Sequence, residues 1–197
     1  MEAVMSVLIG VALSATCGFR VFVPLLAVNI GTRALNADGE PRIELATGFD
    51  WLSSDIALMI FLVAAIFEIG GYYIPWIDNL LDTVASPAAI VAGTLITASF
   101  ITGMEPWLQW LLGVIAGGGA AGAVQATTVV TRASSTVTTG GLGNPIVASV
   151  ETSGAFLGSA LAILMAPFAI AVLVLLIGSG VWIWWRRRRR HKLAEAT

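Results

Sequence analysis

Three ionisable residues, Arg20, Glu68 and Glu151, each interrupt a run of apolar sequence long enough to enter a membrane. Such a group costs roughly 2.5–3.5 kcal/mol in a hydrocarbon layer even on lenient insertion scales. It is kept where it pairs, lines a wet cavity or carries function. Arg20 offers a planar fork suited to clamping a carboxylate or another anion, and it can equally pair with a glutamate and simply hold two helices together. Asp78 and Asp82 are four residues apart, so a helix brings them to one face beside Asn79. Their oxygens suit a hard cation, or form the solvated side of an interfacial helix. After Arg132, residues 133–144 carry no charge but offer the hydroxyls of Ser134, Ser135, Thr136, Thr138 and Thr139, with Gly140, Gly141 and Gly143. This stretch is expected as a flexible connector, or as backbone folded into a polar cavity to present N–H groups to a ligand. The candidate ligand- or ion-binding set is Arg20, Glu68, Asp78, Asn79, Asp82, Arg132, Ser135, Thr138, Asn144 and Glu151.

Other chemistries are poorly supplied. Cys17 is the only cysteine and His191 the only histidine, so disulfides and Cys- or His-based metal sites have no ligands. No nucleophile–base pair is visible. A carboxylate metal site at Glu68, Asp78 and Asp82 is the one enzymatic arrangement the residue types leave. The expectation is no enzyme, no cofactor and no resident metal.

The elements that must hold these residues are helical and apolar. The chain has 197 residues, 57% hydrophobic and 11% charged, far from a soluble domain. Residues 3–30 are too long for one ordinary span and are broken by Cys17-Gly18-Phe19-Arg20 and then Pro24. The polar loop at 31–55 sets Arg33 and Arg42 against five acidic residues. A second span is expected at 56–74 around Glu68, then a short amphipathic piece from Pro75, a third span at 87–102 and a fourth at 107–130. Residues 145–185 give about 60 Å of helix at 1.5 Å per residue, twice a hydrocarbon core of about 30 Å. Two spans meeting near Pro167 fit that length. Six spans are expected, with five as the alternative.

Arg186 to Arg190 and Lys192 supply six of the ten basic residues and follow Trp182, Trp184 and Trp185 directly. An aromatic belt ending in arginines predicts a cytoplasmic C-terminus. Residues 1–185 then form one integral-membrane domain and 186–197 a basic tail. The expected fold is an all-α bundle with broken or re-entrant backbone near 18–24 and 140–145. Six spans also permit two inverted halves of three, since Leu8-Ile9-Gly10-Val11-Ala12 and Leu111-Leu112-Gly113-Val114-Ile115 open the first and fourth alike. The arginine run suits anionic lipid rather than nucleic acid. Membrane lipids, an ion or small solute, and further copies of the chain are the partners considered.

Three stretches resemble a family of bacterial membrane proteins. They are Cys17-Gly18-Phe19-Arg20-Val21-Phe22-Val23-Pro24-Leu25-Leu26, Ile74-Pro75-Trp76-Ile77-Asp78-Asn79-Leu80-Leu81-Asp82, and Ser135-Thr136-Val137-Thr138-Thr139-Gly140-Gly141-Leu142-Gly143-Asn144-Pro145. Their order and spacing are similar to the domain-of-unknown-function family 4126. The resemblance implies a multispan membrane protein and assigns no activity; the expected location is a bacterial inner membrane. It also implies an Asp-Lys pair after the acidic second-span residue, where this chain has Gly71-Tyr72. The functional expectation is a small secondary transporter or channel. The alternative is a scaffold or lipid-binding protein whose buried charges lock helices.

Overall fold

Gly18, the loop after Arg33, Tyr72, Gly103 and Gly140 mark the ends of the helical runs, and the apolar residues between them form the spans. The computed structural model describes residues 2–36, 39, 41–74 and 77–164. Its helices are α1 Glu2–Cys17, α2 Phe22–Arg33, α3 Asp55–Gly71, α4 Ile77–Phe100, α5 Pro106–Leu112, α6 Gly119–Thr139 and α7 Asn144–Leu164. A 3-10 turn, Asp50–Ser53, precedes α3, and a π-helical turn, Gly113–Gly118, joins α5 to α6.

Leu80–Phe100, Pro106–Thr139 and Asn144–Leu164 are long and apolar enough to cross a membrane. This is an integral membrane protein, all-α among the described residues. α3 adds a broad apolar surface of exposed Ile56, Met59, Ile60, Val63, Ile66 and Phe67. A soluble protein seldom leaves so large an apolar patch bare. The last apolar segment, the tryptophan belt, the arginine run and the tail at 186–197 lie outside the described residues.

Local chemistry explains most helix ends. Ser54 caps α3, its hydroxyl accepting from the Ala57 N–H at 3.1 Å, and Asp55 follows in the first turn, where the helix dipole favours an acid. Pro106 opens α5 at a position that needs no N–H donor. Gly140 and Gly141, with φ of 63° and 89°, turn the chain between α6 and α7.

α1 lies at the centre, packed on α4, α6 and α7, and α4 packs closely on the π-helical turn. A methyl group at Gly117 would overlap the Gly93 carbonyl and Thr97, so glycine is what permits that approach.

Two expectations are corrected. Pro87 does not start a separate span but sits inside α4, which runs unbroken from Ile77. The neighbouring Ser86 hydroxyl folds back onto the Asp82 carbonyl at 2.7 Å. Residues 132–139 are not a loop: α6 continues to Thr139. Thr127, Thr131, Ser134, Thr138 and Thr139 each donate to the carbonyl four residues back. The hydroxyls are satisfied on their own helix. Only the turn at 140–143 leaves the helical pattern. The break between α1 and α2 falls where expected, at residues 18–21, and Pro24 is accommodated in the first turn of α2.

Candidate functional site

α1 closes with the N–H groups of Gly18, Phe19 and Arg20 bonded to the carbonyls of Ala15 and Thr16. A Cβ on Gly18 would lie 2.5 Å from Val124 Cβ and 2.6 Å from the Ala121 carbonyl oxygen, so glycine lets α6 pass against the break. α2 then begins without a side-chain cap or an acidic residue of its own. Its first N–H groups have no partner within the helix and carry partial positive charge. Glu68, from α3, fills that place: Oε1 accepts from Val21 N at 2.7 Å and Oε2 from Phe22 N at 3.0 Å. Glu68 as a whole is 6% exposed. It caps a helix to which it does not belong.

Arg20 sits in the same break, fully buried. Its Nε donates to Thr152 Oγ1 at 3.1 Å, and its terminal nitrogens donate to the Phe19 carbonyl, the Ala148 carbonyl and Glu151 Oε2 at 2.7, 2.9 and 3.1 Å. Arg132 approaches Glu151 from α6, with Nε 3.3 Å from Oε1 and the adjacent terminal nitrogen bonded to Oε2. Glu151, on α7, therefore binds two guanidiniums at once. The other terminal nitrogen of Arg132 lies 3.4 Å from Asp82 Oδ1 on α4, a buried oxygen without a hydrogen bond.

Tyr72 completes the cluster. The guanidinium carbons of Arg20 and Arg132 stand 4.1 and 3.8 Å from its ring centroid, within the reach of a cation–π attraction. A smaller polar group adjoins it: Asn144 Nδ2 donates to Asp78 Oδ2 at 2.8 Å and to Thr136 Oγ1 at 3.0 Å, tying α4, α6 and α7 together.

The structure thus brings together Arg20, Glu68, Asp82, Arg132 and Glu151, and pairs Asp78, a turn before Asp82 on α4, with Asn144 of α7. Asn79 lies in α4, and only its backbone is described. Ser135 and Thr138 are not joined to the cluster; Thr138 is exposed and bonds within α6. Among the described residues no three of His, Cys, Asp and Glu are grouped to hold a metal ion, so the carboxylate metal arrangement at Glu68, Asp78 and Asp82 is not formed.

Residues missed from the sequence include Tyr72, Thr136 and Thr152. Tyr72 lies four after Glu68, and Thr136 and Thr152 follow Arg132 and Glu151 by four and one. The four-residue spacing from a buried charge was the available signal for Tyr72 and Thr136; Thr152, reached only through Arg20, had none.

Two cavities, about 280 Å³ between α2 and α7 and about 300 Å³ among α1, α6 and α7, have apolar walls and are lined by none of the cluster's charged residues.

Chemically, the cluster joins partners from five elements, and its three carboxylates formally outnumber its two guanidiniums. Fold and site together define an integral membrane protein built around a buried ionic cluster at a helix break. Residues 7–186 match the model of a domain of unknown function, DUF4126, and the chain belongs to that family. No curated protein and no solved structure matches it.

Proposed function

We propose that this chain is a small secondary transporter or channel, carrying an ion or small solute past the Arg20–Glu151–Arg132 cluster. The observation behind it is the capping of α2 by Glu68 from another helix. A half-helix N-terminus at a break, next to buried charges, is how many transporters build a binding site. A cap on a neighbouring helix can let go as the two helices move apart, whereas a cap within one helix cannot. A protein that needs only helix adhesion has a simpler route, because apolar residues of similar volume often stabilise as well as a buried ion pair. The reading includes a bacterial inner membrane, a cytoplasmic C-terminus, six spans in two inverted halves, and no enzymatic step.

A second reading, a scaffold whose charges lock helices, is favoured by how fully Arg20 and Glu151 are already bonded. Glu68→Gln separates the two. Gln keeps the size and one acceptor oxygen but carries no charge and exchanges no proton. Under transport, proteoliposomes with entrapped pH dye, tested across alkali cations and small anions, lose flux while the variant stays folded and inserted. Under the scaffold reading, wild type and variant show the same absent flux, and the variant melts lower in detergent.

A further inference from the structure

α2 and α7 run side by side, Phe19 meeting Gly154 at one end and Gly31 meeting Ile163 at the other. Between them lies the cavity of about 280 Å³, walled by Val23, Leu26, Ile30, Phe156, Ala160 and Ile163. From Val23 to Ala34 the groove follows about 16 Å of helix at 1.5 Å per residue. Ser159, the one hydroxyl on its wall, is already engaged by Thr16 at 3.1 Å. Ile30, Phe156 and Leu164 are half exposed along its rim, so the described residues leave the groove open on that side.

The single charge on the lining is Arg42, at the end where both helices finish. Arg33 nearby is bound to Asp55 at 2.8 Å. Arg42 is exposed and makes no ion pair with a described residue. An apolar trough with one cation at its mouth is complementary to an amphiphile with an anionic head.

We propose that the groove between α2 and α7 binds one acyl chain of an anionic phospholipid, with Arg42 holding the phosphate. The acyl end reaches Val23, in the same first turn of α2 that Glu68 caps. Occupancy therefore steadies α2 against α7 from the side opposite Arg42. The inference does not depend on transport.

The test uses the full chain in nanodiscs of equal phosphatidylglycerol and phosphatidylcholine, released for native mass spectrometry. Wild type is expected to retain phosphatidylglycerol preferentially. Arg42→Gln should cut that preference about fivefold, the effect of removing about 1 kcal/mol of attraction per basic residue. Ala160→Trp, at an exposed position on the wall, should expel either lipid while circular dichroism shows the protein still fully helical. Retention of neither lipid by wild type, or a preference untouched by Arg42→Gln, overturns the proposal. So does efficient disulfide formation between Ala160→Cys and Leu175→Cys in a Cys17→Ser background, which would show the chain's own later segment filling the groove.

Discussion

The seam between α1, α4 and the π-helical turn buries polar groups by different means from the cluster around Glu151. In the seam, Gly10, Gly93 and Gly117 bring backbones into contact. Ser14 donates to the Gly93 carbonyl at 2.6 Å and lies 2.8 Å from the Thr97 hydroxyl. Every partner is short, uncharged and close to its own helix. At the cluster, long charged side chains from separate helices meet over several ångströms of side chain, and one oxygen of Asp82 stays without a hydrogen bond. The seam is set by backbone contacts and short hydroxyls. The cluster is set by rotatable side chains with more than one available partner.

The comparison can be broken at Glu151, where the largest effect is expected. Glu151→Ala leaves Arg20 and Arg132 buried without their shared carboxylate. Removing one member of a buried pair costs about 3–5 kcal/mol. Thermal unfolding in detergent should show it. Replacing Arg132 and Glu151 together with Met and Leu should recover only the part of the loss due to Arg132, since Arg20 still lacks its carboxylate and Asp82 loses its arginine. Failure to recover any of it would trace the cost to those two remaining charges.

The seam is next. Gly117→Ala drives a methyl group into the Gly93 carbonyl and the Thr97 side chain. Overpacking of this kind costs about 1–3 kcal/mol, because neither backbone can withdraw without moving α4. Unfolding under the same conditions should place it below Glu151→Ala. The reverse order would make the seam, rather than the cluster, the more demanding part of the fold.

What could be read from the sequence follows the same division. Helix breaks at Gly18 and Gly140 were legible because the apolar run is interrupted there by residue types that end helices, Gly18 with Arg20 and Pro24 in one case and the glycines at positive φ in the other. The interior position of Glu68 and Glu151 followed from their apolar surroundings. Partner choice did not. That Glu68 turns away from the arginines to two backbone N–H groups, while Glu151 takes both guanidiniums, is decided by how α2, α3, α6 and α7 pack. Pro87 and the hydroxyl-rich stretch misled for one reason. Composition rules for turns describe a backbone competing with water, and a long helix in apolar surroundings keeps its own bonds instead.

The smallest effect is expected at Thr138, and it sharpens the comparison most directly. Its hydroxyl donates to the Ser134 carbonyl at 2.8 Å on the exposed side of α6. It touches neither the seam nor the cluster. Thr138→Ala frees a carbonyl that already serves its own helix and removes a β-branched residue from an exposed turn. Surface changes without buried partners usually stay within about 0.5 kcal/mol, and the melting temperature and any flux should both be unchanged. A sharp fall in flux with an unchanged melting temperature would move the working site from the buried charges to the hydroxyl face of α6. The contrast between fixed seam and exchangeable cluster would then no longer describe how the protein works.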